Sequence, residues 1–214
     1  KAALPGLHIL WGGYFPTQHA EVTLRSGYVD FCIEGQGEVP FRKLVDTLHQ
    51  GGSLADVPSL WYRDSDGTIK ETARAAPVQL DQLPRYPYER LDMTRYHGRN
   101  YLGSVVYNHN TSFGCPFACN FCAVVALSKR RWIPESAKRA ADTVTLLHDK
   151  YGADAIEFHD MDFFVSEQRT ADFAERITPL GIKWWGLGRI DTLMGYSDRS
   201  WELMKASGAK MIFM

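Results

Sequence analysis

The sequence predicts an α/β fold built on parallel sheets, and three observations predict it. Short apolar runs of strand length alternate with longer stretches of helical periodicity. Glycines at 152, 181 and 208 each follow a predicted helix, where a left-handed cap position favours that residue. The alternation also occurs twice, on either side of a segment rich in proline, arginine, tyrosine and aspartate.

In the first region Leu7–Trp11 reads as a buried strand ending in the turn Gly12-Gly13, with a short helix from Thr17 and a second strand Tyr28–Ile33. The run Glu34-Gly35-Gln36-Gly37-Glu38 is a turn leading to the helix Val39–Gln50. Strand, helix, strand, helix at this spacing argues for parallel architecture. Ser59–Arg63 and Thr68–Glu71 then flank Ser65-Asp66-Gly67, a hairpin signal. The expected organisation is one domain over 1–74, an interdomain connection over 75–100 and a second domain over 101–214.

In the second domain the strands fall at Ser104–Asn110, Ala155–His159, Lys183–Gly188 and Lys210–Met214. The helices fall at Ser136–Lys150, Ser166–Arg176 and Ser197–Ser207. Three βα units and a fourth strand make the first half of a (β/α) barrel of the TIM type. A half barrel leaves a sheet edge open, and Met211–Met214 is an apolar run with nothing after it to cap it, so truncation of a longer protein is expected.

Composition narrows the function classes. The 214 residues are 45% hydrophobic and 23% charged with a net charge of -1, as in an ordinary globular protein. That balance provides no electrostatic reason to expect nucleic acid or an acidic membrane surface as a partner. No apolar run approaches the roughly 18–20 residues needed to cross a bilayer, so stable membrane insertion is not expected and a cytoplasmic location is. Four cysteines are too few for a secreted disulfide framework. Cys32 sits in an apolar strand and reads as a small buried hydrophobe.

The other three cysteines carry the chemistry. Gly114-Cys115-Pro116-Phe117-Ala118-Cys119-Asn120-Phe121-Cys122 has the spacing C-x3-C-x2-C, just after the first strand of the second domain. Three thiolates on a short loop can reach three irons of a [4Fe–4S] cubane and leave the fourth iron open. Structural zinc is the competing reading, with His109 or His159 completing a four-ligand site. The bacterial ferredoxin spacing differs, and its fourth cysteine has no counterpart near this loop.

On these residues the chain resembles the radical S-adenosylmethionine superfamily. The resemblance implies that Cys115, Cys119 and Cys122 hold three irons and that S-adenosylmethionine chelates the fourth, to be cleaved reductively into methionine and a 5′-deoxyadenosyl radical. Phe121 matches the aromatic that contacts the adenine, core packing beneath the loop being the alternative. Phe158-His159-Asp160-Met161-Asp162-Phe163 resembles a segment after the second strand of members with an added cobalamin domain, and implies that Asp160 receives the ammonium of S-adenosylmethionine. Met161 departs from the second Asp frequent there, and either Asp can instead cap the helix that follows. Trp184–Asp191 resembles a third-strand segment ending in Arg-x-Asp, which puts Arg189 at the open end of the barrel against the S-adenosylmethionine carboxylate or the substrate.

Upstream, Ile9–Gly13 and Glu34–Glu38 are similar to the last part of a Rossmann-like cobalamin-binding domain, with Gly12, Gly13, Gly35 and Gly37 letting the backbone approach the cofactor. No Asp-x-His-x-x-Gly segment, the usual source of a lower axial histidine, is present. The family implies three cofactors: a [4Fe–4S] cluster, S-adenosylmethionine and cobalamin. It further implies a small-molecule or peptide substrate and a reducing electron donor of flavodoxin or ferredoxin type. The expected activity is cobalamin-dependent C-methylation. A radical oxidative cyclase or rearrangement enzyme of the same architecture is the alternative, and a zinc-binding interaction module is the alternative of another class. No catalytic side chain is assigned. Tyr107 and His109 alternate toward one face, read as the barrel interior, and Lys129-Arg130-Arg131 follows the cluster loop as a possible substrate contact.

Overall fold

A computed structural model describes residues 3–214 and divides the chain into two compact units, one ending at Val78 and one spanning Gln79–Met214. In the first, β1 (Leu10–Trp11) is followed by α1 (Tyr14–Arg25), β2 (Phe31–Ile33), α2 (Glu38–Gln50), β3 (Leu60–Arg63) and β4 (Ile69–Glu71). Pleat alternation on β2 explains how both helices find a face. Phe31 and Ile33 pack with Leu44 of α2, Val57, Leu60 and Tyr62, while Cys32 points the other way onto Ala20 and Leu24 of α1. Cys32 is fully buried and its thiol is pushed up to about 11 by that burial, as suits an inert core residue.

The sheet order is β1-β2-β3-β4, and only its first pair is parallel. β3 runs antiparallel to β2 and pairs with β4 in the predicted hairpin, so the expectation of a parallel sheet holds for one strand pair. The short turn at 64–67 returns the chain directly, and a direct return forces antiparallel pairing.

In the second unit, β5 (Val106–His109) leads through a hairpin of β6 (Ser112–Gly114) and β7 (Trp132–Pro134), with α3 (Val124–Ser128) between them, to α4 (Ala137–Tyr151). Then come β8 (Ala155–Phe158), α5 (Glu167–Ile177), β9 (Lys183–Leu187), α6 (Ile190–Leu193), α7 (Asp198–Ala206) and β10 (Ala209–Phe213). β5, β8, β9 and β10 form one parallel sheet in that spatial order. Ser136, Ser166 and Ser197 cap α4, α5 and α7 by accepting from the backbone N–H three residues on, each worth about 1 kcal/mol.

The core lies between the sheet and its helices. Phe158, Phe163, Phe164, Phe173 and Trp184 are fully buried there with Val144, Leu147 and Ile177, each large side chain contributing roughly 2–3 kcal/mol. The segment expected as an interdomain connection is divided: residues from Gln79 onward belong to the second unit. Met93 is part of its core, Tyr107 Oη donates to the Met93 carbonyl at 3.2 Å, and Asp81 accepts from the Ser136 N–H at 2.9 Å. Among the described residues no helix is long and apolar enough to cross a membrane.

Candidate cluster and cofactor site

The cysteine loop springs from the C-terminal side of β5 and is closed by the β6–β7 pair, in which Gly114 faces Trp132. Gly114 is what the closure requires. Its φ is +77°, and a Cβ there would lie 2.2 Å from the Arg131 carbonyl oxygen and 2.7 Å from Ser128 Cβ. The loop then turns on itself: Cys122 N–H donates to the Cys119 carbonyl at 3.1 Å, and Ser128 Oγ donates to the Cys115 carbonyl at 3.3 Å. All three cysteines are free thiols, partly open to solvent. Burial raises the Cys115 thiol above its ordinary range, partly offset by the Phe117 N–H.

Arg169 on α5 clasps both ends of this hairpin. Its Nε donates to the Glu135 carbonyl at 2.7 Å, and its Nη2 donates to Thr111 Oγ1 at 2.5 Å and the Thr111 carbonyl at 3.3 Å. Burial lowers the guanidinium, while the Asp160 and Glu135 charges support it. The sequence offered no signal for this role, because Arg169 reads locally as one charged residue in a polar helix.

Asp160 belongs to the same clasp. It is fully buried, and its oxygens accept from the Thr111 N–H, Thr111 Oγ1 and Ser112 Oγ. Oδ1 takes all three donors and Oδ2 only shares the Thr111 N–H, on the helix side of the β8 strand end, the side to which Phe158 also points. Asp162 is placed differently. Oδ1 accepts from the Phe164 N–H at 3.0 Å, and Oδ2 is buried without a hydrogen-bond partner. Burial pushes its carboxyl up to about 6 against the opposing pull of the Phe164 N–H and Arg189, and Asp162 in turn raises Cys115.

Arg189, at the end of β9, closes the constellation. Its Nη1 lies 2.7 Å from Cys119 Sγ, its guanidinium sits 4.2 Å over the Phe117 ring, and Nε and Nη2 bind Asp191 at 2.9 and 2.5 Å. Phe121 is 89% exposed, so it does not pack beneath the loop and its ring is open to a ligand.

His109 and Tyr107 do not line a barrel interior, contrary to the sequence reading. Both face the helices: His109 Nδ1 meets Tyr88 Oη at 3.1 Å and its Nε2 lies 3.5 Å from the buried Glu135, while Tyr107 packs in the helix-side core. Arg130 Nε approaches the Pro116 carbonyl at 3.4 Å and thereby braces the cysteine loop. Among the described residues no three His, Cys, Asp or Glu side chains converge on a single metal ion.

In the first unit Gly12 and Gly13 end β1, and Gly35 and Gly37 follow β2. One hydroxyl joins the two turns: Thr17 Oγ1 donates to the Gly13 carbonyl at 2.6 Å and accepts from the Gly35 N–H at 3.0 Å. Gly13 and Gly35 hold φ of +96° and +76°, and nothing lies within 4 Å of a Cβ built on Gly12, Gly13 or Gly35. The C-terminal ends of the parallel pair are therefore open to an approaching ligand.

No family model matches the chain. It is 30% identical over 208 residues to an uncharacterized methyltransferase of Pyrococcus horikoshii, covering 96% of this chain and 44% of that protein. It is 30% identical over 201 residues to the anaerobic magnesium-protoporphyrin IX monomethyl ester cyclase of Synechocystis, covering 92% of this chain and 40% of that protein. The chain thus spans less than half the length of these relatives. Among solved structures, the cobalamin-dependent S-adenosylmethionine radical enzyme OxsB superposes on 95% of this chain and 30% of its own with a TM-score of 0.76, at 20% identity. Along almost its whole length the chain is therefore similar to a methyltransferase and to an anaerobic cyclase, and it shares the fold of the part of OxsB on which it superposes.

Proposed function

We propose that the chain is the cofactor-binding part of an enzyme that cleaves S-adenosylmethionine on a [4Fe–4S] cluster and methylates carbon with the help of cobalamin. The observation that carries this is the meeting of the cysteine loop with Arg189 and Asp162 at the C-terminal ends of parallel strands, where barrels of this kind gather their reactive groups. When bound, the cluster supplies the electron for reductive cleavage and the corrinoid supplies the methyl group.

The chain's own residues have distinct tasks in this reading. Cys115, Cys119 and Cys122 hold three irons. Gly114 and the Arg169 clasp set the loop over the strand ends. The unpartnered Asp162 oxygen fits an ammonium, and takes the part that the sequence had assigned to Asp160. Arg189 suits a carboxylate once it exchanges a bond from Asp191, and Phe121 offers its exposed ring to the adenine. Gly12, Gly13, Gly35 and Gly37 form the open edge for the corrinoid. The domain division follows: a Rossmann-like part, then the first strands of a partial (β/α) barrel. The partners are a small-molecule or peptide substrate and a flavodoxin- or ferredoxin-type donor, in the cytoplasm.

A radical oxidative cyclase is the second reading, favoured by the Synechocystis relative at the same 30% identity. Anaerobic reconstitution with iron and sulfide, followed by electron paramagnetic resonance and assay for 5′-deoxyadenosine, tests the shared chemistry. A cubane signal altered by S-adenosylmethionine is expected, and Cys119→Ala abolishes it. An unchanged signal in that variant would refute the ligand assignment. Corrinoid retained through desalting favours methyl transfer over the cyclase.

A further inference from the structure

The chain that joins the two units is gripped at both of its ends. In the first unit the side chain of Gln36, between Gly35 and Gly37, pairs with the Val78 backbone as a neighbouring strand would. Its Nε2 donates to the Val78 carbonyl at 3.1 Å and its Oε1 accepts from the Val78 N–H at 2.8 Å. The next residue, Gln79, opens the second unit. There Arg139 of α4 holds the continuing chain, Nη1 donating to the Leu83 carbonyl at 2.7 Å and Nη2 to the Pro84 carbonyl at 2.9 Å. The stretch between these grips has little slack. It contains the 3₁₀ turn Leu80–Gln82, in which Asp81 Oδ1 accepts from the Ser136 N–H at 2.9 Å.

The same guanidinium also holds the hairpin that closes the cysteine loop. Arg139 Nε donates to Glu135 Oε1 at 2.9 Å, and the Glu135 side chain is only 2% exposed. Glu135 directly follows β7, and its backbone is fixed on both sides: its N–H donates to the Thr111 carbonyl at 2.7 Å, and its own carbonyl accepts from Arg169. Arg139 thus binds the joining chain with one edge of its fork and the base of the cysteine loop with the other. A planar guanidinium engaged at every nitrogen passes displacement from one partner to the other, because neither partner moves without breaking a bond.

We propose that Gln36 and Arg139 are positioning residues that couple the Gly35–Gly37 turn to the cysteine loop through residues 78–84, so that order imposed at one turn is felt at the other. Calling the two turns corrinoid and cluster sites rests on the function proposed above; the coupling itself does not. Neither residue has to touch a cofactor. Filling either site tightens the chain's hold on the other, and the effect runs equally in both directions because a coupling free energy is reciprocal. Each link is a hydrogen bond between named partners, so the coupling can be broken at a chosen point.

Hydrogen–deuterium exchange of the intact chain, read by mass spectrometry under reducing conditions without iron or corrinoid, tests this. Gln36→Ala is expected to speed exchange at least about threefold across 111–122 and 132–135, where the Cys122 and Glu135 N–H groups bond the Cys119 and Thr111 carbonyls. Arg139→Lys keeps a charge for Glu135 but loses the fork on Leu83 and Pro84, and is expected to speed exchange about threefold at 34–38. Gly-Gly-Ser inserted between Val78 and Gln79 adds slack and alters neither turn. In that background Gln36→Ala is expected to leave the cysteine loop unchanged. Val57→Ala, in the first unit's core but off this path, is expected to leave it unchanged too. Each variant is checked for native far-UV dichroism. Unchanged exchange at the cysteine loop in Gln36→Ala or at 34–38 in Arg139→Lys overturns the proposal. So does a Gln36→Ala effect that survives the insertion, or an equal effect of Val57→Ala. The readout needs no cofactor, so its failure is distinct from that of the radical reading: a chain that assembles a cubane without this coupling loses only the coupling, and one that shows the coupling without a cubane loses only the chemistry.

Discussion

Arg189 Nη1 lies 2.7 Å from Cys119 Sγ, joining the end of β9 to a cysteine loop seventy residues earlier in the chain. Asp191 holds the guanidinium from the side and Phe117 from below. A charge-assisted donor on a cluster sulfur stabilises the more negative, reduced state. Arg189→Gln is therefore expected to lower the cluster's midpoint potential by on the order of 50 mV, about the worth of one such bond for a one-electron couple. A redox titration followed by electron paramagnetic resonance measures it, and an unchanged potential would show that the contact does not persist once iron is bound.

Asp162 makes stability depend on pH in a specific direction. Its folded-state carboxyl is raised from 3.8 to about 6, so the folded protein binds the proton more tightly than the unfolded chain does. The stability this group contributes is full below about pH 4 and is lost as pH rises toward and past 6. Asp162→Asn removes that loss. In the cofactor-free protein the variant is expected to gain on the order of 2–3 kcal/mol over wild type between pH 4 and pH 7, read from paired urea unfolding curves.

Arg169 is clasped between the Glu135 carbonyl and Thr111, with Arg139 on the Glu135 carboxylate. Arg169→Met would leave the Glu135 carbonyl and Thr111 without that donor and the Asp160 and Glu135 charges with less compensation. A loss of roughly 3–5 kcal/mol is expected in denaturant unfolding. Arg169→Lys keeps the charge but not the fork, and is expected to recover only part of it.

Gly114→Ala strikes the loop alone. A methyl group would overlap the Arg131 carbonyl at a positive φ. Iron incorporation is expected to fall several-fold while far-UV dichroism stays near wild type. Full iron content in this variant would mean that the loop reaches its ligating shape by another route.

Much of this molecule was legible because its signals are local. The three-cysteine spacing is a property of eight consecutive residues, and the turn at Ser65-Asp66-Gly67 needs only its own four backbone angles. Glycine at 152 and 181 marked helix ends correctly, both residues being left-handed caps. The hairpin β6–β7 and the short helix α3 were missed, since each is held by contacts with the other end of one loop rather than by its own periodicity. Asp160 and Asp162 are set apart by contacts of the same long-range kind. Two aspartates two residues apart look alike in sequence, yet Thr111 and Ser112 claim the first and leave an oxygen of the second unpartnered.

The sequence by itself determined the strand–helix alternation, the helix caps and the spacing of the three cysteines, because each depends on residues that are neighbours along the chain. Only the tertiary structure decided which face of each strand looks away from the helices, that Arg169 closes the cysteine loop, that Arg189 reaches Cys119, and that Glu157 and His159 lie beside Trp185. Those facts depend on strand register and on hydrogen bonds between residues dozens of positions apart. No local pattern encodes them, because their free energy appears only when the whole sheet has formed.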